Sequence, residues 1–458
     1  MNRIAVIDIG KTNAKLALVD LGSLRELEVL TRPNRVRPGP PWPHFDLDGH
    51  WDFILAGLAG FRVRHGVDAV SITTHGASLV LLDAEGGLAA PMLDYEHDGP
   101  EALAAEYDAL RPGFEATGSP RLGLGLNAGA QLHWMFAQDA GLGARVARIV
   151  TYPQYWAGRL TGVAATEATS LGCHTDLWEP RAGRPSALVD RLGIAGKLAP
   201  LRRAAEVLGP VTAEVARATG LAPGTPVHCG IHDSNASLLP HLMRRTPPFS
   251  VVSTGTWVVV MTLPGAGAPL PALDPARDTL VNVSAFGQPV PSARFMGGRE
   301  HDLMLGGAAP DADTGAVAEV VDAGVMLLPS VVPGSGPFRG REAAWRGGEP
   351  PMGAPTRSAV VAHYLAMMTA ECLALTGHRG PVVVEGPFAR NGAYLDLLSA
   401  ATGETVAASE GSTGTSQGCA LLAAREAPAP AAGRVVDRRG DAALAAHAAA
   451  WRAAVAAG

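Results

Sequence analysis

The chain has 458 residues, 47% of them hydrophobic and 17% charged, and a formal net charge of -6. That length allows two domains of roughly 200 residues each with sizeable cores, and the acidic balance argues against nucleic acid or an anionic membrane surface as the main partner. Cys173, Cys229, Cys372 and Cys419 lie far apart with no C-x-x-C pair, which argues against a structural zinc site and suits a reducing cytosol.

The N-terminus runs directly into a strand pattern, without the basic start and small-residue cleavage site of a signal peptide. No run of about 18 apolar residues is expected to span a bilayer, so a soluble, cytoplasmic protein is expected. Residues 4–7 are an apolar run that delivers Asp8 into small and polar residues, and residues 16–19 carry the chain back. Residues 9–14 therefore read as the bend of a β-hairpin. Polyphosphate binding needs backbone N–H groups open to an anion, a hydroxyl, and a carboxylate able to hold Mg²⁺ directly or through water. Gly10, Thr12 and Asp8 supply these, although an ordinary turn uses the same residue types. Gly10-Lys11-Thr12 is not a P-loop, because the spacing requires glycine at position 5, which is Ala5 inside the strand.

Residues 26–31 read as a third strand, before a proline-rich excursion over 33–43 near which Trp42, Phe45 and Trp51 either cap a pocket or, as the favoured reading, anchor the loop. A helix over 54–65, a buried strand over 68–75 and a strand over 79–82 follow. This order is that of a mixed sheet covered on both faces. Residues 131–136 and 155–161 read as helical. Residues 166–176 are rich in hydroxyls and read as a polar loop, with Thr169, Ser170 and Asp176 on a possible site rim. In Thr225-Pro-Val-His-Cys-Gly-Ile-His-Asp-Ser-Asn-Ala-Ser237 an apolar strand again ends in a carboxylate, Asp233, followed by small residues that open a helix.

Pro247 and Pro248 mark the expected domain boundary. Residues 249–262 then repeat the strand, glycine turn, strand of residues 3–20, which suggests two related domains facing one another across a cleft. Residues 263–355 are expected to be strands and loops with a short helix near 314–322, and Arg299-Glu300-His301 reads as a surface turn. An amphipathic helix over 358–377, stopped by glycine, precedes a buried strand over 381–388, a helix over 391–403 and a strand over 404–409. Residues 410–418 form a Gly/Ser/Thr loop that opens a core helix, and the tail carries one weak helix over 441–456, expected on the surface.

Five separated motifs, taken in order, resemble the FGGY family of carbohydrate kinases, which includes glycerol kinase, xylulokinase, rhamnulokinase and fuculokinase. Asp8-Ile-Gly-Lys-Thr-Asn-Ala-Lys15 looks like the family's first phosphate motif; Lys11 stands where the family has a small residue or Thr and either touches phosphate or points to solvent, while Lys15 falls where many members have a basic residue. Gly230-Ile-His-Asp-Ser-Asn-Ala-Ser237 is similar to the segment of the catalytic aspartate, and Ser253-Thr-Gly-Thr256 to the second phosphate motif. Glu385-Gly-Pro-Phe-Ala-Arg-Asn391 stands at the adenosine motif, with Pro387 in place of its second glycine and Asp396 where Gln is common. Residues 414–418 resemble the glycine loop near the nucleotide.

The resemblance implies an α/β fold of two ribonuclease H-like domains of the actin and Hsp70 type. Each would have a mixed sheet flanked by helices, with the active-site cleft between them. Residues 1–246 would bind the sugar and hold the catalytic base, and residues 247–458 would bind the nucleotide. The implied activity is transfer of the γ-phosphoryl group of ATP to a terminal hydroxyl of a ketose such as xylulose, ribulose, fuculose or rhamnulose, or of a related polyol. Asp233 is the candidate base, its alternative being a helix N-cap. Asp8 and Asp233 are the candidate Mg²⁺ ligands, and they must meet at the floor of one crevice. Gly10, Lys11, Thr12, Asn13, Lys15, Gly255, Thr256, Gly386, Asn391 and Gly414 are the candidate nucleotide contacts. His75, Gly76, Asp94 and Tyr95, with Asp233, are the candidate sugar contacts, and Glu96 joins them. The expected partners are the sugar or polyol and ATP, with no nucleic acid and no membrane, and a homodimer as the candidate assembly. A non-catalytic sugar or nucleotide sensor, or a chaperone-like ATPase, on the same scaffold is the competing reading; the presence of both Asp8 and Asp233 favours the enzyme.

Overall fold

Strand β1 (Arg3–Ile9) and strand β2 (Asn13–Asp20) form the expected first hairpin, paired from Arg3↔Asp20 to Ile9↔Ala14. The structure, a computed structural model, describes residues 2–307, 310–409, 414–424, 426 and 433–458. Residues 410–413 of the expected glycine loop and residues 427–432 of the tail lie outside these. The chain divides into two units, Met1–Arg244 with Val281–Pro289 and Thr413–Pro428, and Arg245–Leu280 with Val290–Ser412 and Ala429–Gly458.

In the first unit, β3 (Arg25–Pro33) continues the antiparallel meander, and helix α1 (Leu47–Arg64) starts earlier than position 54 because Asp46 caps it, accepting from the Gly49 backbone N–H at 3.1 Å. Strand β4 (Ala69–Thr74) then lies parallel to β1. Helix α2 (Tyr152–Thr161), β5 (Val207–Pro210), β6 (Pro226–His228), β7 (Ile231–His232) and helix α3 (Asp233–Arg244) follow. The sheet runs β5-β6-β4-β1-β2-β3, with β7 also on β4. Ile4 to Ile7 are all buried; a sheet covered on both faces needs a continuous apolar run rather than alternation.

Residues 166–176 are not an exposed polar loop: Thr169 is 0% and Asp176 1% exposed. The polar atoms of Thr169 and Asp176 are spent internally, which is what allows their burial, while the buried Ser170 hydroxyl has no partner. The Thr169 hydroxyl and amide donate to Glu167, and the Asp176 carboxylate accepts from the Tyr107 hydroxyl at 2.5 Å and from Arg111 at 2.9 and 3.1 Å. Asp176 is thus one half of a buried structural ion pair.

The second unit contains β8 (Phe249–Thr254), β9 (Val258–Leu263), the start of β10 (Thr279–Val283), whose residues from Val281 belong to the first unit, all of β11 (Pro289–Phe295) but Pro289, helices α4 (Gly297–Leu305), α5 (Thr314–Ala323) and α6 (Pro355–Leu375), then β12 (Val382–Glu385), α7 (Gly392–Thr402), β13 (Val406–Ala408), β14 (Arg434–Val436) and α8 (Ala442–Ala457). Its sheet runs β10-β11-β9-β8-β12-β13-β14. As in the first unit, the opening hairpin has a parallel neighbour, here β12 against β8.

Two expectations need correction in this unit. Arg299-Glu300-His301 lies in α4, and Glu300 is fully buried, accepting from the Tyr364 hydroxyl at 3.0 Å and the Val332 amide at 3.2 Å; burial pushes its carboxyl up to about 7. Helix α6 is buried on almost every side rather than amphipathic. By length and composition it is also apolar enough to cross a membrane, contrary to the expectation of no such run, yet 83% of its most apolar window is buried within the fold. Helix α8 packs on the surface as expected, most of its residues exposed and one face turned inward. Leu444, Ala448, Trp451 and Val455 are buried along one stripe, and Trp451 donates its indole N–H to the Leu327 carbonyl at 2.8 Å. The surrounding alanines mask this stripe in the sequence.

His363 of α6 faces His447 of α8, ring centroids 5.1 Å apart, and neither ring nitrogen of His363 has a hydrogen-bond partner. Burial, and then the His447 ring, push the His363 imidazole down from 6.5 to about 3. The unfolded chain therefore binds the extra proton across that window, so stability is intact above about pH 6.5 and falls as the pH drops through it. His363→Phe should remove roughly 2 kcal/mol of the loss in unfolding free energy between pH 7 and pH 5. Urea denaturation of both proteins at the two pH values measures this, and equal losses would refute it.

Candidate active site

Strands β1 and β7 both run parallel to β4, in registers that set Asp8 opposite Thr73 and His232 opposite Thr74. Asp8 and Asp233 therefore lie at the same carboxyl edge of the first sheet, on either side of the strand that ends in Thr74-His75-Gly76. The two are close enough that Asp233 adds to the cost of ionising Asp8.

Asp8 is 15% exposed at its side chain. It accepts from the Ser416 hydroxyl at 3.1 Å, and the Lys15 ammonium lies 3.5 Å away while also bonding Glu26 at 3.1 Å. Burial raises the Asp8 carboxyl above its ordinary range, Lys15 works against that rise, and Asp233 adds to it. Gly414 caps the short helix Thr415–Ala420 that carries Ser416, its backbone N–H donating to the Gln417 side chain at 3.0 Å. In the turn itself, Gly10 donates its amide to the Asn13 carbonyl at 2.9 Å and the Asn13 side chain donates to the Thr12 hydroxyl at 3.3 Å, with Thr12 and Asn13 exposed.

Asp233 opens α3 with a third of its side chain exposed, 32%. Its Oδ1 accepts from the Ser234 amide at 2.6 Å, as a helix-start aspartate does, and also from His232 Nε2 at 3.0 Å. Burial would raise its carboxyl, but His232 first, and His75 and the Ser234 amide after it, hold it below the ordinary carboxylate range. Burial would equally lower the His232 imidazole; Cys173, whose Sγ is 3.3 Å away, and Asp233 instead hold it well above its usual value. Gly76 packs against this group so tightly that a β-carbon there would lie 2.4 Å from Cys173 Sγ and 2.9 Å from His232 Nε2.

Beside Asp233 stands an aromatic wall. The His75 ring lies 5.2 Å from Phe45, 5.1 Å from Tyr95 and 5.1 Å from Tyr152. Burial pushes His75 down to about 4, so it is neutral, and its Nε2 has no partner. Phe45 thus takes the pocket-side alternative and belongs to this wall; Trp42, donating to the Pro91 carbonyl at 2.9 Å, and Trp51, stacked on Trp156 at 6.4 Å, take the anchoring one. Lys11 resolves its alternatives in neither expected way. Its ammonium turns to the wall, pairing with Asp94 and with Glu96 at 3.2 Å. Thr169, Ser170 and Asp176 are not rim residues, being buried as described above.

The second unit holds the other expected residues. The Thr254 hydroxyl donates to the Glu385 carbonyl at 2.6 Å and accepts from the Phe388 amide at 3.1 Å, tying the β8 turn to the loop after β12. Gly386 has φ +86, and a β-carbon would fall 2.0 Å from the Thr254 carbonyl oxygen, so only glycine fits. Gly255, Thr256 and Asn391 line a cavity of about 750 Å³ together with Arg299, His301 and Phe388. Asn391 is partly committed as the cap of α7, accepting from the Tyr394 amide at 3.1 Å. Asp396 pairs with Arg438 at 3.0 Å.

Sequence reasoning missed His232, Cys173, Tyr152 and Ser416. Adjacency to Asp233 is a signal for His232; Cys173 and Tyr152 arrive from distant segments and carry none. A hard divalent cation suits the donors present: Asp8 and Asp233 are oxygen donors at one edge, and Asp233 raises the cost of ionising Asp8, a cost such a cation would offset. No group of three or more His, Cys, Asp or Glu side chains placed to hold a metal occurs among the described residues. Mg²⁺ is commonly held by one or two carboxylates with waters and substrate phosphates, without a protein cage.

Two family models match in succession. That described as the FGGY family of carbohydrate kinases, N-terminal domain, matches residues 3–240, and that described as carbohydrate kinase FGGY, C-terminal domain, matches residues 246–431. The crystal structure of a carbohydrate kinase from Novosphingobium aromaticivorans superposes with a TM-score of 0.89 at 36% identity, covering 98% of this chain and 100% of that one. An autoinducer-2 kinase of Klebsiella pneumoniae is 31% identical over 285 residues, 58% of this chain and 52% of its own length. An L-xylulose/3-keto-L-gulonate kinase of Escherichia coli is 28% identical over 276 residues, 55% and 52% of the two chains. The chain thus spans about half the length of the curated relatives it matches. Its two units have the α/β, ribonuclease H-like architecture of that structural group. With both family models in chain order and half of the chain within the first alone, the chain belongs to the FGGY family of carbohydrate kinases.

Proposed function

We propose that this protein transfers the γ-phosphoryl group of ATP to a terminal hydroxyl of a ketose, a ketopentose or deoxyketohexose, or of a related polyol. The observation that supports this best is the carboxylate of Asp233, partly open and held ionised by His232, beside a wall of rings and next to a second carboxylate in a hairpin turn. Phosphoryl transfer is mostly a matter of positioning and charge stabilisation. What the protein must add is a base within reach of the acceptor hydroxyl.

Asp233 accepts that proton, and His232 orients its carboxylate. His75, Tyr95 and Asp94 take the acceptor, the rings packing on its C–H faces and the polar atoms on its hydroxyls. The turn amides near Gly10, with Thr12 and Asn13, take phosphate oxygens; Lys15 neutralises Asp8 rather than phosphate. In the second unit, Gly255 and Thr256 bind phosphate, and the cavity beside Gly386 and Asn391 takes the nucleoside. Residues 1–246 thereby serve the acceptor and base, and residues 247–458 the nucleotide. When bound, Mg²⁺ on Asp8, with Asp233 nearby, would neutralise charge on the phosphates.

Coupled ADP release over a panel of ketoses and polyols tests the activity; release that ignores every acceptor would count against it. Asp233→Ala should lower kcat by at least roughly 10³-fold while ATP-Mg²⁺ binding, read by calorimetry, persists, and unchanged turnover would remove the base assignment. Gly76→Ala should lower kcat by about 10- to 100-fold, because the added methyl must displace Cys173 or His232, with far-ultraviolet circular dichroism unaltered. Wild-type rates from that variant would show that the packing at Gly76 is irrelevant to Asp233.

A further inference from the structure

Lys11 stands in the first hairpin turn, yet its ammonium is drawn into the wall. Nζ pairs with Asp94, whose side chain is 10% exposed, and lies 3.2 Å from Glu96. It also lies 5.1 Å from the centroid of Phe45 and 4.8 Å from that of Tyr95, two cation–π contacts that fix its position. The same wall faces the proposed base: His75 feels the charges of Asp233, Lys11 and His232, and Tyr95 those of Glu96, Asp233 and Asp94.

The charges do not balance. Asp94, Glu96 and Asp233 are three carboxylates, and even with His232 counted as a cation beside Lys11 the wall stays negative. An incoming hydroxyl suits this surface, since it can donate to a carboxylate and accept from an ammonium. An incoming carboxylate does not. The cation it would seek, Lys11, already has two anionic partners, and those partners repel it.

We infer that the acceptor site selects uncharged polyhydroxylated acceptors and rejects their carboxylate counterparts, with Lys11, held by Asp94 and Glu96, as the residue that sets this choice. The inference rests on the kinase reading only for where the acceptor lies. If the two acids are what keep Lys11 from serving an anionic acceptor, removing their charges converts Lys11 into a carboxylate site.

The test compares xylulose, ribulose, fuculose and rhamnulose with gluconate and galactonate at fixed ionic strength, in the wild-type protein, Glu96→Gln, the Asp94→Asn/Glu96→Gln double variant, and the double variant carrying Lys11→Met. Two readouts are taken, kcat/KM from ADP release and acceptor binding by calorimetry without nucleotide. The best neutral acceptor should exceed both acids by roughly 100-fold in wild type. That ratio should narrow at least tenfold in the double variant and widen again when Lys11→Met is added. Glu96→Gln, at a half-exposed position, should narrow it partially and covers the case of a double variant that does not fold. Acids used within tenfold of the best ketose, or a ratio unmoved by Glu96→Gln, would overturn the inference. If ADP release fails with every acceptor while calorimetry still shows the neutral preference, the kinase reading falls and the charge selection stands. Calorimetry with no preference, or with no binding by any ketose, overturns the selection itself.

Discussion

The arrangement depends on one constraint of sheet geometry: β1 and β7 must both run parallel to β4 and end level with it. In parallel sheets the loops at the carboxyl ends gather on one edge, which is where ligands of open α/β sheets are usually bound. Here that edge receives Asp8, the His75-Gly76 pair and Asp233 from three separate parts of the chain. Two carboxylates brought together in a partly buried place repel one another, and the fold answers with cations and donors drawn from still other segments. Lys15 and Ser416 serve Asp8; His232 serves Asp233.

The second unit repeats the hairpin and its parallel neighbour but not the charge. Where Asp8 stands in the first hairpin, Ser253 stands in the second, one residue before Thr254 and two before Gly255. The second turn is instead tied by the Thr254 hydroxyl to the loop after β12, which holds Gly386 in its left-handed conformation. One backbone plan therefore supports two tasks. A carboxylate at the turn suits cation and proton chemistry, while a hydroxyl and glycines leave amides free for an anion.

Buried polar groups elsewhere show how the same residue types serve structure alone. Asp176 is a buried carboxylate whose two oxygens are taken up by Arg111 and Tyr107, which leaves it little to offer a ligand. Glu300 is likewise enclosed by Tyr364 and Val332. What separates Asp233 from these is exposure: one oxygen is oriented by His232 and Ser234, and a third of the side chain still meets solvent. Lys11 shows the converse, a cation placed by the sequence in a phosphate-type turn that the packing commits to other partners.

The primary structure alone determined the hairpins, the carboxylates at their strand ends and the order of motifs, because each rests on a local pattern of apolar runs, glycines and turn residues. It also determined the helices after Asp233 and Asn391, whose starts are signalled by small and capping residues. It misplaced residues 166–176, α4 and the character of α6, and it placed α8 on the surface without showing which face packs inward. In those segments burial depends on partners far away in the chain: Arg111 for Asp176, Tyr364 for Glu300, and the Leu327 carbonyl for Trp451. Only the tertiary structure decided that Lys11 faces Asp94, that Cys173 and His232 back Asp233, and that Phe45 joins His75. These are encounters between side chains remote in sequence, and no local periodicity encodes which of them will meet.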